Sequence, residues 1–171
     1  MLSPTIENAL NKQIRIEAES SQIYLAMASW AELKGLEGVA EFMYAQTDEE
    51  RMHMLKIFKF VNERGGHAIV SDLNAPDTDF GSPKEMFETL LKHEEFVSNS
   101  INELVAITLD EKDYATHNFL QWYVAEQIEE EATARTILDK INLIGDAKSG
   151  FYHFDKDIKA MINFDPQAPM E

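Results

Sequence analysis

Apolar residues recur along this chain at intervals of three, four and seven over four long stretches, the period of a helix that buries one face. The first stripe carries Leu10, Ile14, Tyr24, Ala28 and Ala31, and the second, only largely apolar, Met43, Gln46, Thr47, Met54, Ile57 and Val61. The third carries Phe87, Leu90, Leu91, Val97, Ile101 and Val105, and the fourth Leu120, Tyr123, Val124, Ala134, Leu138 and Ile141. Punctuation sets the ends. Ser3-Pro4 supplies an N-cap and a first helical position, predicting a helix over about 5–34. Gly35 and Gly38 mark a short turn, and a second helix over 39–64 stops at Gly65-Gly66. Ser82-Pro83-Lys84-Glu85 is a capping box that opens a third helix over 83–110. Asp113 opens a fourth over 113–144, ending near Gly145, and a short fifth is expected over 150–163 before Pro166 and Pro169.

Loop lengths choose the topology. The turns near 35–38 and 111–113 are short, so each joins antiparallel neighbours. A helix of about 27 residues is about 40 Å long, and a connection over 66–82 can reach roughly 55 Å, enough to run back along the whole bundle. The expectation is an all-α fold: one domain over 1–171, two helical hairpins joined by one long crossover into a four-helix bundle, with a short C-terminal helix.

Polar residues break each stripe near its middle. They are Glu17 on the first helix, Glu50 and His53 on the second, Glu94 on the third, and Gln127 and Glu130 on the fourth. Glu50 and His53, three apart, emerge from one helix face, where a carboxylate and an imidazole suit a divalent metal. A single Glu-x-x-His is common by chance, and one buried Glu is an ordinary local exception. Four helices making the same exception need a shared cause, because an unpartnered buried carboxylate costs several kcal/mol or more. Spacing supplies it. Glu50 follows Glu17 by 33 positions and Gln127 follows Glu94 by 33, while a step of 77 takes Glu17 to Glu94, Glu50 to Gln127 and His53 to Glu130. Two halves in one register point to two metals, with one Glu from each of two helices and a Glu-x-x-His from the others, the second copy here being Gln127-x-x-Glu130. Four glutamates balance two divalent cations, and oxygen donors with one imidazole suit Fe(II) or Mn(II), with Zn(II) as a competitor. Glu49, Glu126 and Glu129 stand beside this set, either as a third cation position sharing Glu130 or as a solvated acidic edge.

Composition narrows the partners. The net charge is −16, from 31 acids against 15 bases. Such a surface repels nucleic acid and anionic lipid and attracts small cations, although acidic excess also serves plain solubility. Cysteine is absent, which removes disulfides, thiolate metal sites and iron–sulfur clusters. No apolar run approaches 18 residues and the N-terminus lacks the pattern of a signal peptide, so neither a membrane partner nor export is expected and a cytoplasmic protein fits.

Read in order, these pieces resemble the non-haem bacterial ferritins over essentially the whole chain. The resemblance is carried by Glu17 with Ser20-Ser21 and Tyr24-Leu25-Ala26-Met27, by Glu49-Glu50-x-x-His53-Met54, and by Glu94. Trp122-Tyr123-x-x-Glu126-Gln127-x-Glu129-Glu130-Glu131 and the Gly145-Asp146 exit of the fourth helix complete it. It implies a ferritin-like bundle, twenty-four copies closed into a hollow shell of 432 symmetry, and a ferroxidase centre. That centre oxidises Fe(II) with O2 or hydrogen peroxide and passes Fe(III) to a mineral inside. By the resemblance, Glu17 and His53 bind the first iron, Glu50 bridges, and Glu94 and Glu130 bind the second. Glu49, Glu126 and Glu129 with Glu130 would hold a third, Gln127 would be a weak or outer partner of the second iron, and Tyr24 and Trp122 would be hydrogen-bonding or one-electron neighbours.

Departures exclude near relatives. Bacterioferritins carry a second Glu-x-x-His, broken here by Gln127 and Glu130, and a haem-ligating Met where this chain has Arg51. No haem is therefore expected, and Met52 is read as packing. Rubrerythrins need a cysteine-based iron site. His93 turns about 100° away from Glu94's face and is read as structural. His67, His117 and His153 are read as surface or capping residues, Met27, Met43, Met54 and Met86 as core. Two rival readings remain at this stage: a di-iron or di-manganese peroxidase or catalase-like bundle without mineral, and a non-enzymatic helical shell that buffers cations.

Overall fold

A computed structural model describes residues 2–145 and 147–164. Four long helices, α1 (Pro4–Leu33), α2 (Glu37–Glu63), α3 (Pro83–Asp110) and α4 (Tyr114–Ile144), are followed by α5 (Lys148–Asp157) and one 3₁₀ turn over Ile158–Met161. The packing follows the loop lengths: α1 lies against α2, α3 against α4, and α1 also against α3. Among the described residues no helix is long and apolar enough to cross a membrane.

Local chemistry explains the boundaries. Ser3 Oγ accepts from Ile6 N at 3.3 Å at the head of α1. At the head of α3, Ser82 Oγ accepts from Glu85 N while Glu85 Oε2 accepts from Ser82 N, so both halves of the capping box are made. Gly35 and Gly65, at φ 75° and 76°, take the left-handed conformation that ends α1 and α2. Asp113 caps α4 through Thr116 N and also receives two hydrogen bonds from Arg64 at 3.0 and 3.1 Å, tying the end of α2 to the start of α4.

The crossover runs along α1. Asn11 donates to the His67 carbonyl and accepts from Ile69 N, Glu19 accepts from the Asn74 amide, and Trp30 Nε1 donates to Asp79 at 3.0 Å. These anchors span most of α1 and make the connection a fixed strap across the bundle.

The fifth helix departs from its expected start. It begins at Lys148, with Gly150 inside it, and gives way to the 3₁₀ turn before residue 163. A Cβ on Gly150 would lie 2.7 Å from Ile144 Cγ2, so the glycine marks where α5 closes on the end of α4 rather than where the helix begins. Gly38 plays a similar part. A Cβ there would sit 1.5 Å from the Asp155 carbonyl oxygen, and Asp155 Oδ1 accepts from Val39 N at 3.0 Å. The N-cap of α2 thus comes from α5, 116 residues along the chain.

The interior divides in two. One apolar cluster includes Tyr24, Met27, Met43, Phe87, Leu90, Ala134 and Ile137, and the other Leu10, Ile14, Ile57, Val61, Val97, Ile101 and Leu120. Between them on every long helix lies the polar layer of Glu17, Glu50, His53, Glu94, Gln127 and Glu130, all buried.

Candidate metal centre

Each helix delivers its polar group to one depth because the apolar residues on either side lock its rotation. Glu17 is 1% exposed, Glu50 2%, His53 4% and Glu94 1%, so the layer is closed to bulk solvent. Ligand atoms of Glu17, Glu50 and His53 lie within 4.8 Å of one another, close enough to share one cation. His53 Nδ1 stands 3.5 Å from Glu50 Oε2. Tyr123 Oη, behind it, donates to the His53 carbonyl at 2.8 Å.

Glu94 is held on the other side of the layer. Tyr24 Oη donates to its Oε1, and the Gln127 amide donates to its Oε2 at 3.1 Å and to its backbone carbonyl at 3.3 Å. Gln127 therefore presents its NH2 to Glu94, as an outer partner would, rather than turning its carbonyl inward. Glu130 faces Glu94, Glu49 and Glu50.

The electrostatics call for a cation. Burial, then Glu94 and Glu17, pushes the Glu50 carboxyl well above the usual range, and burial with Glu94, Glu49 and Glu50 does the same to Glu130. Glu94 is raised by burial against the lowering hydrogen bonds of Tyr24 and Gln127. The Tyr24 phenol is driven well above 10 by burial and Glu94, so it stays a donor. Two carboxylate oxygens, Glu17 Oε2 and Glu50 Oε2, are buried without a hydrogen-bond partner. A divalent ion among Glu17, Glu50 and His53 would give such oxygens a partner, and hard oxygen donors with one imidazole suit iron.

A second group adjoins the first. Glu49, His53 and Glu126 also bring ligand atoms within 4.8 Å, so the residue common to the two groups is His53. Burial raises Glu49 to about 7, with His53 lowering it and Glu126 raising it. Glu126 is raised chiefly by burial. Glu49, Glu126, Glu129 and Glu130 line a cavity of about 30 Å³ between α2 and α4, room for about one water-sized occupant. Met161 to Phe164 line it from the C-terminal side, a juxtaposition that periodicity could not reveal.

Trp122 stands edge-on to His53 at 5.3 Å, with Lys56 Nζ 4.3 Å from its ring centroid. His93 does turn away from the centre. Ser20 Oγ lies 3.1 Å from the Ile16 carbonyl and shares a hydrogen bond of 2.8 Å with His93 Nε2, and the ring meets Tyr24 edge-on at 5.8 Å. His67 lies on the crossover, where its backbone N–H donates to Glu7, while His117 is half-buried and His153 exposed. Met27, Met43 and Met86 are core residues, whereas Met54 is only half-buried. Two buried polar residues behind Glu17 escaped the sequence reading: Gln13, which donates to Glu17 at 2.8 Å, and Ser100, which donates to Gln13 at 2.6 Å. The available signal was that Gln13, one turn before Glu17, interrupts the same apolar stripe.

Comparison with known proteins agrees with this geometry. The sequence model of the ferritin-like domain family matches residues 7–144. The chain is 43% identical to a bacterial non-heme ferritin of Campylobacter jejuni over 159 residues, covering 93% of this chain and 95% of that one. It is 41% identical to a bacterial non-heme ferritin of Bacteroides fragilis, covering 92% and 98%. Among solved structures, an open-pore ferritin from the archaeon Archaeoglobus fulgidus superposes with a TM-score of 0.92 at 44% identity, covering 93% of this chain and 98% of that one. With its helical bundle, its long crossover and a buried Glu–Glu–His group at mid-bundle, this chain belongs to the ferritin family.

Proposed function

We propose that this protein stores iron by oxidising it: two Fe(II) ions enter the mid-bundle layer, give up one electron each to an oxidant, and leave as Fe(III) for a mineral core. With dioxygen as oxidant, two protons are taken up and hydrogen peroxide is released. With hydrogen peroxide, two protons are taken up and two water molecules form. Family membership supports the activity, and the orphaned oxygens of Glu17 and Glu50 carry the siting.

In this reading Glu17 and His53 hold the first ferrous ion, Glu50 bridges, and Glu94 and Glu130 hold the second, with Gln127 orienting Glu94. Mobile carboxylates serve both oxidation states and leave room for the oxidant. Tyr24 holds Glu94 in place and is poised as a one-electron neighbour, and Trp122 backs His53. A third iron lies among Glu49, Glu126 and Glu129 with Glu130, and the proximity of Glu49 and Glu126 to His53 favours ready exchange between the two positions. Twenty-four copies would close the shell in the cytoplasm, with iron as cargo and neither haem, nucleic acid nor membrane involved.

Aerobic addition of Fe(II) tests the reading. Rapid oxidation of two or three irons per chain, followed by hundreds more retained in soluble particles, is expected. Peroxide turnover without retained iron would assign the centre to a peroxidase or catalase-like bundle, and stoichiometric binding without oxidation to a cation buffer.

A further inference from the structure

Gln13 carries an amide into the core at 1% exposure, so its polar atoms must be matched by the protein. The carbonyl accepts from Ser100 Oγ of α3 at 2.6 Å, and the NH2 donates to Glu17 Oε1 at 2.8 Å. The chain of bonds has one direction, because turning the amide over would set its carbonyl against a carboxylate oxygen. One oxygen of Glu17 is thereby occupied. The other, Oε2, is buried without a hydrogen-bond partner, in the group that Glu17 forms with Glu50 and His53.

We propose that Gln13, itself fixed by Ser100, is a positioning residue that reserves one oxygen of Glu17 and presents the other to the first ferrous ion, making Glu17 a one-oxygen ligand. The proposal rests on the assignment of Glu17 to that ion made above. A carboxylate released from the amide turns about its last bond and chelates through both oxygens, which raises the coordination number and fills a position the oxidant needs. Glu94 differs, since both of its oxygens already receive donors, from Tyr24 and Gln127.

Co(II), bound in place of Fe(II) to the full-length protein, reads this without turnover, because its visible absorption per ion falls as coordination number rises. Gln13→Met keeps the volume and removes the donor. It should weaken the first-bound Co(II) about ten- to a hundredfold and lower that ion's absorption, with Ser100→Ala moving both the same way by less. Affinity and spectrum equal to those of the parent protein would overturn the proposal. So would weaker binding with an unchanged spectrum, which is what mere loosening of the bundle gives. If Gln13→Met does not fold, Ser100→Ala carries the same test. Glu17→Ala separates the two layers of the argument: if it too leaves the first-bound Co(II) unaltered, the ligand assignment has failed and not only the role of Gln13.

Discussion

At the scale of single residues the protein is governed by carboxylates wholly or partly withdrawn from water. Glu49 rises to about 7, and Glu50, Glu94, Glu126 and Glu130 rise as well, all chiefly through burial. A carboxyl whose folded pKa lies above its unfolded value near 4.5 binds more protons in the folded state, so its stabilising effect is complete below that value and disappears as pH rises through the folded one. Metal-free protein should therefore unfold at a higher temperature at pH 5.5 than at pH 7.5. Saturating divalent cation should reverse that order, because ion binding expels the same protons. Calorimetry of stripped and loaded protein at the two pH values checks both signs, and a metal-free midpoint that climbs steadily with pH would contradict the account. Burial raises Glu130 most, and then the charges of Glu94, of Glu49 from the second group and of Glu50 from the first. Glu130→Ala should slow the fast phase of iron oxidation at least tenfold and weaken the second and third metal positions together. Titration that finds only one position altered would refute its shared role.

Elements are held in register by polar ties between helix ends, from Arg64 to Asp113 and from Val39 N to Asp155. The helices α1, α3 and α4 are capped by the side chains that precede them, but α2 has no side-chain cap of its own and takes Asp155 from α5 instead. Gly38 makes that approach possible, since any Cβ there would overlap the Asp155 carbonyl. Gly38→Ala should push α5 off the bundle, lose the cap and cost about 1–3 kcal/mol, the usual range for overpacking. Faster amide exchange over α5 and the 3₁₀ turn, with α3 unaffected, is the pattern expected. An unchanged exchange profile would mean that α5 does not depend on this contact. Because Met161 to Phe164 line the acidic cavity, the same substitution should also expose Glu49 and Glu126 to solvent.

On the scale of the whole molecule, a single chain leaves Leu33, Val70, Ile128 and Leu143 exposed as apolar spots on its surface. A closed symmetric assembly covers such patches. Light scattering should find a particle of roughly 470 kDa, twenty-four chains of 19.5 kDa, and a mass near one or two chains would remove the mineral compartment from the proposal. The bundle itself was legible because its signals are local: the 3.6-residue period, Ser-Pro caps, glycine stops and one connection too long for a hairpin. The depth of the polar layer was legible too, since a step of 33 residues on two similar hairpins returns to one level.

The amino-acid order alone determined the four helices, their crossover topology and the positions that interrupt each apolar face, because a helix repeats every few residues and carries that period openly. Tertiary structure decided what those positions touch. It set Ser100 behind Gln13 and Gln13 behind Glu17, placed His53 between two acidic groups, turned Gln127 toward Glu94, and brought Asp155 to the head of α2. Hydrogen bonds and ligand distances are fixed within a few tenths of an ångström by segments scores of residues apart, and no repeat along the chain encodes that meeting.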